Sequence, residues 1–354
     1  MKKSIIQSLK FVAFTVAGLA LLWLAFRNIE FKSLWEGLKK ARYGWLILSI
    51  AFAIFAYISR ARRWILLINP LGYKPALINS FNAMMTGYLA NIALPRIGEI
   101  TKCIALGKKE NIPVDQLIGT VVVERTIDII SLLIITIIML FIEGSTLGPF
   151  LMNNVNTPVH EKLISIFGFA WIFWLILFLA GAISIFILYY FRNNLRKIRF
   201  FSKIFNAVHG IIHGIKTITK IQRKWEFIFH TLFIWTNYTL MTWVVVFAVE
   251  STSHLGLKDG IFLLVIGGMA MSAPVQSGLG AFHFIVSRGL MLIYGISLED
   301  SMVYALLAHE SQLIFGAILG IYSFYSIFKK SPSAKDHVYD MEENYGPAKD
   351  ILSK

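Results

Sequence analysis

The sequence predicts an all-α protein that crosses a membrane many times, and three observations carry that prediction. The chain has 354 residues, 56% of them hydrophobic and only 15% charged, which is more apolar than soluble domains are. Six runs match the roughly 20 apolar residues that cross a bilayer core of about 30 Å: 11–26, 45–68, 118–142, 163–191, 227–249 and 302–328. The alternating ten-residue pattern of a membrane β-barrel is absent. The net charge of +14 reads as basic residues gathered in loops rather than as a nucleic-acid surface. A single cysteine, Cys103, excludes an intramolecular disulfide and any multi-cysteine metal site.

The first run follows Met1-Lys2-Lys3 without a small-residue cleavage site after it, so it reads as an uncleaved first helix. Between the first two runs, residues 27–42 place Phe31, Leu34, Trp35 and Leu38 at helical spacing beside Lys32, Lys39 and Lys40. That pattern predicts a short amphipathic helix in the membrane interface. Arg60, Arg62 and Arg63 fall near the end of the second run, where long cationic side chains snorkel to phospholipid headgroups.

Two stretches, 75–110 and 258–295, are apolar enough to enter the membrane but are interrupted: "NIALPRIGEITK" in the first, "MSAPVQSGLGAFHF" in the second. Each is expected to form a helical hairpin that enters and returns on one side. Irregular backbone at membrane depth must be shielded by protein or line a cavity, and a helix N-terminus freed there attracts anions.

Loop charge sets the orientation. Residues 193–224 carry Arg196, Lys197, Arg199, Lys203, Lys216, Lys220, Arg223 and Lys224 without an acid, whereas 143–161 contain no Lys or Arg. The first loop is therefore expected in the cytoplasm and the second outside, with both termini cytoplasmic. The basic residues of 27–42 oppose this scheme, which puts them outside; an interfacial helix accommodates them. Placing Ile112 on Ile296 aligns "IPVDQLIGTVVVERTID" with "ISLEDSMVYALLAHESQ". Each half then reads as two spans, a broken hairpin and a third span, an inverted repeat with halves 1–142 and 163–328. A polar tail, 329–354, follows.

Chemistry concentrates where charge enters apolar helices. Glu124, Arg125 and Asp128 lie six to ten residues inside the run 118–142, and each costs about 2.5–3.5 kcal/mol to insert. Glu124 and Asp128 share a face at i,i+4, and Arg125 reaches Asp128 at i,i+3. His309 and Glu310, with Gln312 nearby, occupy the matching place in the other half. A neighbouring His–Glu pair lacks the helical spacing and third donor of a metal site. No H-E-x-x-H, Walker loop or G-x-S-x-G occurs, and no cofactor is expected.

Taken together, "NIALPRIGEITK", "VVVERTIDII" and "APVQSGLGAFHF" resemble the lysylphosphatidylglycerol synthase transmembrane region, a flippase-like membrane family, over nearly the whole chain. The resemblance implies functional positions at Asn91, Pro95, Arg96, Gly98, Glu99, Glu124, Arg125 and Asp128, and at Pro274, Gly278 and Gly280. Lys102 belongs to the first segment, and His283, His309 and Glu310 complete the candidate set. Two positions depart from the family pattern: Ser277 stands at a usual glycine and His283 at a usual acid. In bifunctional members this region moves an aminoacylated phospholipid that a soluble domain makes. The tail here is too short and polar for such a domain, so lysyl transfer is not expected. The leading expectation is a translocator in the inner membrane that handles a membrane phospholipid or a polyprenyl-linked lipid. Arg96 and Arg125 would receive the headgroup while Glu99, Glu124 and Asp128 balance them. An integral-membrane enzyme of lipid-linked sugar or aminoacyl-phospholipid metabolism, with Glu124 or Asp128 as base, and a structural partner of envelope-synthesis enzymes are the alternatives.

Overall fold

A computed structural model describes residues 15–94, 97–142, 221–273 and 275–329. The expected span 163–191, both charged-loop anchors except residues 221–224, the tail beyond residue 329, and Pro95, Arg96 and Pro274 lie outside the described residues. The described chain is helical throughout. It runs α1 (Thr15–Phe26), α2 (Phe31–Lys40), α3 (Gly44–Ile68), α4 (Leu77–Ala93), α5 (Gly98–Glu110), α6 (Val114–Ile142), α7 (Lys224–Val244), α8 (Leu257–Met271), α9 (Ala281–Tyr294) and α10 (Leu298–Phe328).

Five stretches are long and apolar enough to cross a membrane: Gly44–Leu71, Val114–Ile142, Lys224–Ala248, Gln276–Tyr294 and Leu298–Phe328. Four coincide with expected spans. The fourth, Gln276–Tyr294, was expected to be one arm of a re-entrant hairpin. It reaches spanning length because a single 3-10 turn, Gln276–Gly278, precedes α9. Thr15–Phe26 (α1) is the described part of the expected first span 11–26, whose residues 11–14 lie outside the described residues. The short helix expected in 27–42 is present as α2, with Leu34 buried and Phe31 and Trp35 exposed. Lys39 lies over the Trp35 ring at 5.4 Å.

Both interrupted stretches fold as helix–break–helix. In the first, α4 stops at Ala93 and Leu94 turns extended, with φ −139° and ψ 125°. Leu94 precedes a proline, whose ring disfavours the helical conformation of the residue before it. Across the break, Asn91 Oδ1 accepts from the Gly98 N–H at 2.7 Å. The arms α4 and α5 then cross at two glycines. A Cβ on Gly98 would strike the Gly87 carbonyl oxygen, and one on Gly87 would lie 2.6 Å from the Gly98 oxygen. In the second, Ser277, Gly278 and Gly280 take positive φ of 46°, 76° and 77°, a region costly for a residue with a Cβ. Gly280 sits so close to α1 that a Cβ would be 2.6 Å from Gly18 O and Leu22 N.

A detail recurs at the end of each interrupted stretch. α5 ends on Asn111 and α9 on Gly295, both left-handed, and each N–H returns to the carbonyl four residues back. The long helices α6 and α10 each begin three residues later.

Packing joins elements that precede residue 143 to elements that follow residue 220. α3 runs along α7, α10 lies on α4, and α8 lies on α6. Small and polar side chains make these contacts, as they do between helices in lipid. At α10 on α4, a Cβ on Gly320 would stand 2.7 Å from Leu89 Cβ, and Ser323 Oγ donates to Asn82 Oδ1 at 3.1 Å. Gln312 Nε2 donates to Ser49 Oγ at 3.0 Å, tying α10 to α3. Tyr304, fully buried in α10, donates to the Thr242 carbonyl of α7 at 2.9 Å. Large apolar side chains such as Phe141, Trp225, Ile47 and Leu232 face outward, which suits a lipid surround and would be a liability in water.

Candidate functional site

Four cationic side chains converge on two carboxylates between α3, α5 and α6. Glu124, 1% exposed, is the centre. Its Oε1 accepts from Arg60 Nη2 at 2.8 Å and Arg125 Nη2 at 2.9 Å. Its Oε2 accepts from Lys102 Nζ at 2.6 Å. Asp128, one turn further, takes Arg63 Nη2 on Oδ1 at 2.5 Å. Its Oδ2 lies 3.2 Å from Arg125 Nη2 and 3.4 Å from Arg60 Nη2. The Arg125–Asp128 contact is the i,i+3 pair that the spacing predicts.

Local structure explains why each group arrives. Residues 60 and 63 share the inner face of α3, so both guanidinium groups point at α6. Lys102 stands one turn beyond Gly98 on α5, so the close glycine crossing with α4 and the Asn91 clamp aim its ammonium at Glu124. Aromatic rings line the cations. Lys102 Nζ lies 4.6 Å from the Trp64 ring centroid and the Arg60 guanidinium 5.8 Å from that of Tyr88. Arg60 Nη1 donates to Tyr238 Oη at 3.0 Å.

Arg60 and Arg63 correct the snorkelling expectation. They are 8% and 0% exposed, because α6 and α7 cover this end of α3. Arg62, on the other face, pairs with Glu226 of α7 at 2.6 Å. The dominant cations of the site were thus assigned to the lipid surface by sequence. Their signal, basic residues at i and i+3 within "SRARRW", marks one face but does not reveal what covers it.

The balance of charge is uneven. Among the described residues, four cations face two carboxylates, leaving two positive charges unmatched there. Donors also outnumber acceptors: Arg60 Nε, Arg63 Nε and Nη1, and Arg125 Nε are buried without a hydrogen-bond partner. A buried guanidinium N–H without an acceptor is costly. Arg125 is the cation that opens outward, its side chain 39% exposed. The arrangement is able to accept an oxyanion that supplies acceptors and negative charge together.

The remaining candidates separate from this cluster. Asn91, Gly98, Gly278 and Gly280 shape the two breaks. Glu99, in the first turn of α5, makes no ion pair among the described residues, and its Oε2 is buried without a hydrogen-bond partner. His283, His309 and Glu310 come together in a second cluster. Glu310 Oε1 lies 3.0 Å from His309 Nδ1 and 3.3 Å from His283 Nε2, and His309 Nε2 meets the Ser277 carbonyl at 2.8 Å. The sequence shows a neighbouring pair without a third donor; the fold corrects this, because α9 swings His283 onto α10. One donor atom from each residue lies within 4.8 Å of the others.

A helical, lipid-facing bundle with a charged centre built on interrupted helices defines a multi-pass membrane protein. Residues 9–320 match the family described as lysylphosphatidylglycerol synthase TM region, and the chain belongs to that family. It is also similar to a UPF0104 membrane protein of Methanocaldococcus jannaschii, 26% identical over 256 residues, covering 66% of this chain and 73% of the relative. No solved structure matches the chain.

Proposed function

We propose that the protein is a lipid translocator of the inner membrane that passes an anionic phosphate headgroup through the Arg60–Arg63–Lys102–Arg125 cluster. One observation carries this reading: among the described residues, a buried site holds two more positive charges than negative ones, with guanidinium N–H groups left unpartnered. A phosphodiester offers the acceptors and charge that such a site lacks, and arginine forks suit its geometry. Without such a route, a phosphate does not cross a hydrocarbon core at a useful rate. Glu124 and Asp128 hold the cations in place so that the headgroup exchanges rather than sticks. Arg125 receives it first, with Arg96 a further candidate, and the lipid is a phospholipid or a polyprenyl-linked one.

The two interrupted hairpins are read as re-entrant and as inverted copies, the first entering from the cytoplasm and the second from outside. The paired contacts between halves and the matching left-handed exits at Asn111 and Gly295 support that reading. Both termini are placed in the cytoplasm by loop charge.

The test uses the full chain in liposomes carrying a fluorescent phosphatidylglycerol and a membrane-impermeant quencher. The expected result is movement of the lipid between leaflets, faster than in protein-free liposomes and with its mass unchanged. Equal rates with and without protein overturn the proposal. A covalently altered lipid, formed at a rate dependent on Glu124, turns it to the enzyme reading.

A further inference from the structure

The second cluster carries a proton-accounting problem that a metal ion solves. The Ser277 carbonyl can only accept, so His309 Nε2, 2.8 Å away, must be the protonated nitrogen of that ring. The other nitrogen, Nδ1, then carries a lone pair in the neutral ring. That lone pair faces Glu310 Oε1 at 3.0 Å, one acceptor against another. His283 adds a second imidazole to the same oxygen, its Nε2 3.3 Å away. His283 is 0% exposed, and neither of its ring nitrogens makes a hydrogen bond. Three electron-pair donors therefore converge on one point, and one of them comes from a fully buried side chain without any other partner.

We propose that His283, His309 and Glu310 bind a divalent transition-metal ion, Zn2+ in the first instance. The spacing agrees. With Zn–N and Zn–O bonds near 2.0–2.1 Å, the edge of a coordination tetrahedron is about 3.3 Å; the two separations to Glu310 are 3.0 and 3.3 Å, and all three donor atoms lie within 4.8 Å of one another. The donor set of two imidazoles and one carboxylate suits zinc better than the oxygen-seeking Mg2+ or Ca2+. The His309 Nε2–H bond to a backbone carbonyl is the support that metal-bound histidines use to fix tautomer and ring angle. The break between α8 and α9 builds that support, since the left-handed Ser277 and the glycines at 278 and 280 aim the carbonyl at α10. Three protein ligands leave a fourth position open, and Glu310, one third exposed, lies on the accessible side. The site is independent of the headgroup reading above, since none of its residues belongs to the cationic cluster.

The experiment uses the full chain carrying a tag without histidines, stripped with a chelator in detergent and then titrated with zinc chloride. Wild-type protein is expected to retain about one zinc per chain by elemental analysis and to melt at a higher temperature with zinc than without. His283→Gln and Glu310→Gln are expected to lose affinity roughly 100-fold or more, since even outer partners of metal ligands matter 10–100-fold, and their melting should no longer respond to zinc. Circular dichroism and gel filtration in zinc-free buffer establish that each variant is folded. If His283→Gln does not fold, the partly exposed Glu310→Gln carries the comparison. Absence of stoichiometric zinc on folded wild-type protein overturns the proposal and leaves protons to bridge the three donors. Equal zinc affinity in a folded variant overturns it as well.

Discussion

Glu124 is the residue on which the cationic cluster depends, because Lys102, Arg60 and Arg125 all bond to it. Glu124→Gln keeps the shape and removes the charge, leaving three cations around a neutral amide. Breaking a buried pair costs roughly 3–5 kcal/mol, so the variant is expected to melt well below wild type in detergent; an unchanged melting temperature would show that the cluster is more hydrated than its burial suggests. Arg125 allows a cleaner separation of structure from transport. With Arg125 removed, Glu124 keeps Arg60 and Lys102 and Asp128 keeps Arg63 and Arg60. Asp128 does not serve this purpose, because it is the acceptor for the fully buried Arg63. Arg125→Leu is expected to express and resist heat like wild type, yet to lose lipid movement, because the outward-opening cation is gone. Normal transport by that folded variant would reduce Arg125 to a packing role.

At the scale of elements, the crossing of α4 and α5 sets where Lys102 points. Gly98→Ala inserts a methyl group against the Gly87 carbonyl and the Asn91 side chain. Since backbone rather than a flexible side chain stands in the way, the helices must separate. The expected outcome is a lower melting temperature and weaker lipid movement together. Gly119→Ala in α6 is the control: nothing lies within 4 Å of the added Cβ, and alanine favours a helix over glycine by about 1 kcal/mol. A harmless Gly98→Ala beside a harmless Gly119→Ala would remove the crossing from the argument.

These elements also mark how far sequence reaches. The breaks were legible because proline and glycine act locally: Pro95 dictates the extended Leu94, and the glycines near 278 permit the turn before α9. The i,i+3 contact of Arg125 with Asp128 was legible because both lie on one helix. Arg60 and Arg63 were misread, since their partners come from α6, more than sixty positions along the chain. His283 stood in the candidate set, at the position of the family's usual acid, but not as a partner of His309. Its meeting with His309 depends on how α9 folds onto α10, which no periodicity encodes.

For the whole molecule, the orientation is a proposal that accessibility can decide. In a Cys103→Ser background, a cysteine at the exposed His254, between α7 and α8, is expected to react with an impermeant maleimide from outside. One at the exposed Lys108, at the end of α5, is expected to react only when the cytoplasmic face is opened. External labelling at Lys108 would overturn the inverted arrangement of the hairpins.

The native Cys103 offers a different use. It is 0% exposed on α5, adjacent to Lys102 and packed against the arm that the glycine crossing holds. A thiol in that position reacts with a small alkylating reagent only when the helix around it lets go. Its modification rate in the unaltered protein therefore acts as a clock for the departure of α5 from the bundle, in the way that slow exchange reports local opening. If the hairpin swings each time a lipid passes, the clock should run faster in liposomes that contain transportable lipid than in those that do not. The chain's only sulfhydryl thus serves as a built-in probe of motion, with no label to add and no second site to confuse the signal.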